Sequence, residues 1–139
     1  MELSNTTRMI SGIILITVPT IEFGGTFLLR MLKSSDAGYV DNPLRQNLFR
    51  AGHAHAGVLV ILSLVIQMFV DSLTLPDAIG LVARLGAPCA AILMPLGFFL
   101  SVTSPRAQKP NGMIMLVYVG ALTLAISVVV LGVMLVRSA

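Results

Sequence analysis

The chain has 139 residues, 56% of them hydrophobic and 11% charged, with a mean hydropathy of +0.94. Soluble domains carry about 25% charged residues, so the composition excludes an ordinary soluble domain. The formal net charge of +3 is accounted for by Lys and Arg flanking apolar runs, and nothing points to nucleic acid. The single cysteine, Cys89, sits inside an apolar run and supports no disulfide framework.

Four apolar runs, 9–32, 51–75, 85–102 and 113–136, reach the roughly 17–25 residues that a helix needs to cross a bilayer. They predict one integral membrane domain over 1–139, all-α, a four-helix transmembrane bundle of antiparallel up-and-down order. Its helices are expected at about 9–32, 43–75, 77–102 and 112–136. The first run is too long for a signal peptide, holds Glu22, and shows no small-residue cleavage site before polar sequence. At about 100° per residue, Ser11, Leu15, Glu22, Thr26 and Leu29 share one face of this helix. Glu22 could serve there as a functional carboxylate, or only fix helix register through Thr26, Ser63 or a free carbonyl. Pro19 releases the carbonyl of Leu15.

The loosest segment follows, over 33–41. Asp41-Asn42-Pro43 then reads as a helix start, with Asn42 as cap and Pro43 in the first turn. The second helix carries both histidines, His53 and His55, in the stretch RAGHAHAG (50–57). An imidazole at membrane depth is expensive unless it binds something. His53, Ala56, Ser63, Gln67 and Asp71 fall in a stripe roughly 80° wide that should face the interior, while His55 lies about 160° away with Leu48, Leu59, Leu62 and Ile66. Pro76-Asp77 should close this helix and cap the next. Asp71 and Arg84 flank that connection and are expected to form a structural ion pair.

In the third helix Pro88 and Pro95 release the carbonyls of Arg84 and Ala91, which need partners inside a membrane. Ser104-Pro105 should end it, and Pro110-Asn111-Gly112 precedes the fourth. That last helix, with Tyr118, Thr123, Ser127 and the pair Gly120-Ala121, reads as packing. Gly24-Gly25 and the spaced pair Gly52 and Ala56 suit close helix approach, or clear space for a flat ligand. Arg30, Lys33, Arg45, Arg50, Arg106 and Lys109 flank the first and third loops, against Arg8, Arg84 and Arg137 elsewhere. The bias is expected to place those loops in the cytoplasm and both termini outside.

His53, His55 and Glu22 are the candidate ligands for a transition metal ion. Residues i and i+2 point nearly opposite ways on a helix, so one histidine should serve the site and the other a neighbouring helix or partner subunit. A haem b would need His plus Met (Met94, Met113 or Met115), or one histidine from each of two subunits. The function expected is metal or haem binding at a buried Glu/His site, in a redox or accessory subunit. A proton-coupled carrier or channel, or a structural subunit, are the alternatives. The expected partners are the bilayer and a homo-oligomer or larger membrane complex.

The stretch LFRAGHAHAG (48–57) resembles the haem-ligand helix in the large subunit of haem–copper oxidases and nitric oxide reductases. The resemblance spans about ten of the 139 residues and implies a haem ligand at His53 or His55. The whole chain also resembles small uncharacterised bacterial four-helix integral membrane proteins, which implies the topology and a bacterial cytoplasmic membrane as the expected location, but no activity.

Overall fold

Capping chemistry sets most helix limits. The computed structural model describes residues 2–139. Its helices are α1 (Asn5–Lys33), the one-turn α2 (Ala37–Val40), α3 (Pro43–Asp71), α4 (Asp77–Leu100) and α5 (Met115–Ser138). A single 3₁₀ turn, Gly112–Ile114, leads into α5. There is no strand among the described residues. Four helices are long and apolar enough to cross a bilayer, Asn5–Lys33, Pro43–Asp71, Asp77–Leu100 and Gly112–Ser138, which is compatible with an integral membrane protein.

α1 starts earlier than expected because Ser4 is its cap, the Ser4 hydroxyl accepting from the Thr7 N–H at 3.1 Å. Asn42 accepts from the Arg45 N–H at 3.1 Å, with Pro43 opening α3. α3 stops at Asp71 rather than near 75. The N–H groups of Ser72 and Leu73 tighten onto the carbonyls of Phe69 and Val70, and Pro76 offers no N–H to continue. Pro76 occupies the cap position of α4 without a side-chain bond, so Asp77 contributes first-turn charge rather than a cap. α4 ends at Leu100, ahead of Ser104-Pro105. Asn111 pulls the chain back there, its N–H donating to Ser101 O at 2.9 Å and its Nδ2 to Leu100 O at 3.0 Å.

The first connection is better ordered than its composition suggests. Ser35 takes a positive φ of 51° after α1, and α2 brings Tyr39 into a cluster with Leu28, Met31, Phe49 and Val102. Arg45 binds this end together. Its guanidinium donates to Val102 O at 3.1 Å and Gly38 O at 2.9 Å, and lies 4.8 Å from the centre of the Phe49 ring. Carbonyls at helix ends carry partial negative charge, and they stand in for a carboxylate beside this cation.

The long helices pack in chain order, α1 on α3, α3 on α4 and α4 on α5. Thr7 meets Gln67 while Gly24 and Gly25 meet His53, so α1 and α3 run in opposite senses. Gln67 meets Arg84 and Gly52 meets Phe98 and Phe99, which sets the same relation for α3 and α4. Ser127 meets Ala83 and Gly97 meets Val117, which does so for α4 and α5. The α4–α5 seam is tight: a Cβ on Gly97 would fall 2.7 Å from the Val117 nitrogen, and one on Gly120 would fall 2.6 Å from the Met94 side chain. α1 is the loosest member, 11% buried over its most apolar stretch against 33% for α4.

Candidate functional site: a groove beside His53

α3 sends its two histidines to different neighbours. His53 lies against α1, where a Cβ on Gly25 would stand 3.1 Å from its ring. A Cβ at Gly25 would crowd the imidazole by a few tenths of an ångström, whereas one at Gly24 would make ordinary contact at 3.6 Å, so Gly25 is the position that eases the ring against α1. His55 turns toward α4, with its ring 5.0 Å from that of Phe98. Its Nδ1 lies 2.7 Å from Ala51 O. A carbonyl can only accept, so Nδ1 carries the hydrogen, and in the neutral ring Nε2 keeps the lone pair. Gly52, between them, packs onto Phe98 and Phe99.

On the His53 side, α1 and α4 both contact α3 but leave a gap between themselves. The result is a groove of about 450 Å³, within the ~300–1,000 Å³ of small-molecule sites. α1 lines it with Ile13, Ile14, Thr17, Thr20, Ile21 and Gly24; α3 with His53, Ala56, Val60 and Ser63; α4 with Pro88, Ala91, Ile92, Pro95, Leu96 and Phe99. Ile13, Ile92 and Leu96, lining residues on α1 and α4, are well exposed, so its mouth opens sideways between those two helices. From His53 to Ser63 it follows ten residues of α3, ~15 Å at ~1.5 Å per residue.

Most polar groups in the groove are already committed. The hydroxyls of Thr17, Thr20 and Ser63 donate to the carbonyls of Ile14, Thr17 and Leu59 at 2.6–2.7 Å. Among the lining side chains His53 keeps its hydrogen-bonding capacity free. Pro95 removes the N–H that would have bonded the Ala91 carbonyl, and Ala91 is a lining residue.

Below the groove the same helices close over a polar network. Arg84 Nη2 lies 2.5 Å from Asp71 Oδ1, with the side chains only 13% and 4% exposed. Arg84 Nη1 also donates to Thr7 Oγ1 and, at 3.2 Å, to Gln67 Oε1. Ser4 donates to Asp71 through its N–H and its hydroxyl, at 2.8 and 2.9 Å. The Arg84 carbonyl that Pro88 releases accepts from Gln67 Nε2 at 2.9 Å. The partner that the proline requires is therefore the glutamine on the facing helix.

Glu22 does not join the histidines. It is exposed, forms no ion pair with either imidazole, and is absent from the groove lining. It lies about 160° round α1 from Gly24. Among the described residues no group of three or more His, Cys, Asp and Glu could hold a metal ion. The structure does not bring Glu22, His53 and His55 together: the two imidazoles diverge, as i and i+2 must, and Glu22 lies on an exposed face of α1. Met94 is buried in the core with Leu59 and Ala90, while Met113 and Met115 are exposed; none lines the groove.

Sequence reasoning missed Phe99, Thr17 and Thr20 as groove residues. The signal for Phe99 was the Phe98-Phe99 pair opposite Gly52, which appears only once the helices are set in register. No family model, no curated protein and no solved structure matches the chain.

Proposed function

We propose that the chain is an integral membrane protein that binds a lipid-soluble ligand in the α1–α3–α4 groove, with His53 as the contact for the ligand's polar group. One observation carries this reading: an uncommitted imidazole stands at the head of an apolar groove whose mouth opens sideways. Apolar walls favour burial of a hydrocarbon body, and one convergent polar group fixes its orientation.

A haem b belongs to the ligand class considered. His53 would be the residue to hold its iron, among apolar walls, and a bound haem would supply redox chemistry; neither His55 nor a methionine lines the groove beside it. A bare transition metal ion does not suit the site, with one nitrogen and no carboxylate. A proton relay between Glu22 and His53 lacks the contact it needs. The geometry therefore favours a molecule held by shape and one hydrogen bond or axial bond.

The test is purification from the native membrane, followed by an absorption spectrum and mass spectrometry of the organic extract. A stoichiometric small molecule, with or without a Soret band, is the result expected; an extract holding only bulk lipid would contradict the reading. The orientation belongs to the same proposal. Lys and Arg of the first and third loops favour a cytoplasmic location for both. In a Cys89→Ser background, Asn5→Cys should be labelled from outside and Ser35→Cys should not; the reverse would overturn it.

A further inference from the structure

Glu22 remains unexplained by the groove. It is an exposed acidic side chain well inside the span of α1, with no ion-pair partner among the described residues. The Thr26 hydroxyl one turn away is spent on Phe23 O at 2.8 Å. Ionisable groups in spans face a protein interior or a water-filled cavity and pair there, so this face of α1 is expected to be covered.

At the other end of the helix order, α5 also leaves a polar group alone. Tyr118 is 64% exposed and its hydroxyl has no partner among the described residues. It lies on one stripe with Leu122, Val129 and Val136, which are 62%, 61% and 79% exposed. Glu22 has the matching stripe on α1 with Leu15 and Leu29, each spaced by one heptad and more than half exposed.

The two groups stand at one depth. Gly25 is level with His53, neighbouring Gly52 with Phe98, and neighbouring Gly97 with Val117. From that level Glu22 lies three residues further in along α1, and Tyr118 lies one residue further in along α5. At ~1.5 Å per residue the difference is about 3 Å, less than one helical turn.

We propose that a second copy of this chain covers the face. The α5 stripe of one copy seats on the α1 stripe of the next, and the Tyr118 hydroxyl donates to the Glu22 carboxylate. The argument for a second copy is complementarity: the chain carries an unpaired acceptor on one outer face and an unpaired donor, at matched depth, on another. The contact joins two different faces, so it is heterologous and propagates until a ring closes.

Disulfide trapping in native membranes tests this. In the Cys89→Ser background, chains carrying both Glu22→Cys and Tyr118→Cys should give an oxidation ladder in steps of 14.8 kDa. Either cysteine alone should leave monomers. Monomers from the double variant, or dimers from a single one, would overturn the proposal; the first would mean that lipid or another protein covers α1, the second that like faces meet. Separately, Tyr118→Phe should weaken self-association in liposomes roughly threefold by energy transfer, the factor that corresponds to ~0.6 kcal/mol for an interhelical hydrogen bond. Unchanged association would contradict the Tyr118–Glu22 contact.

Discussion

α1, α3 and α4 meet twice, and they do so in opposite ways. At the Asp71 end, Ser4, Thr7, Gln67, Asp71 and Arg84 close the three helices over a network in which each charged or amide group has a partner. From Ser63, about two turns away, to His53, about five turns away, the same helices part around a groove. The difference lies in side-chain type. Where long polar side chains meet, satisfying them draws the helices together, since an unpaired group inside a membrane costs several kcal/mol. Where Gly, Ala and Pro alternate with apolar side chains, nothing forces closure and Gly25 eases the His53 ring against α1.

The largest expected effect breaks the closed end. Arg84→Met leaves the part-buried Asp71 carboxylate to its two Ser4 donors, at a cost expected between the ~1 kcal/mol of an exposed pair and the ~3–5 kcal/mol of a fully buried one. Detergent-solubilised protein should show that loss in reversible unfolding. A change below ~1 kcal/mol, the scale of an exposed pair, would mean that the network does not hold α1. Next comes Gly97→Ala on the α4–α5 seam, where the new Cβ would meet Val117 backbone; overpacking of this kind costs ~1–3 kcal/mol. Its unfolding should be easier than wild type, while ligand binding in the groove, on the opposite face of α4, stays intact.

A subtler variant tests why Gln67 is buried. Gln67→Leu leaves the Arg84 carbonyl unsatisfied, at ~1–3 kcal/mol. In a Pro88→Ala background the backbone N–H restored at that position can bond to the same carbonyl, so Gln67→Leu should cost clearly less. Equal cost in both backgrounds would show that Gln67 acts through the Arg84 guanidinium alone. The smallest expected effect on stability lies in the groove. Ala56→Phe fills space that no protein atom occupies, so unfolding should move by no more than ~0.5 kcal/mol while ligand binding is lost. Strong destabilisation would mean that the groove is too narrow for a ligand.

Much of the closed end was legible beforehand. The stripe of Ser63, Gln67 and Asp71 marks an inward face by helical period alone, and Pro88 announces a carbonyl in need of a donor. That the donor is Gln67 was not legible, because a freed carbonyl specifies a chemistry and not a partner. The count of four long helices followed from hydropathy, whereas the one-turn α2 did not, and the ends at Asp71 and Leu100 depended on turns made by Ser72 and Asn111. The groove was half legible. Small residues around His53 admitted a ligand or a close helix, and only the α1–α4 gap separates the two. Glu22 misled for a physical reason: a carboxylate in an apolar run implies a buried partner, but sequence cannot say whether that partner belongs to the same chain.

Ligand binding by the two histidine variants is the most direct test of the groove. Protein purified from the native membrane as wild type, His53→Ala and His55→Ala should be compared for the bound small molecule by mass spectrometry and absorption. His53→Ala should lose it and His55→Ala should keep it, since the His55 ring packs at a tilt against Phe98 outside the groove. Retention in His53→Ala, or loss in His55→Ala alone, would contradict a site built on the groove beside α1.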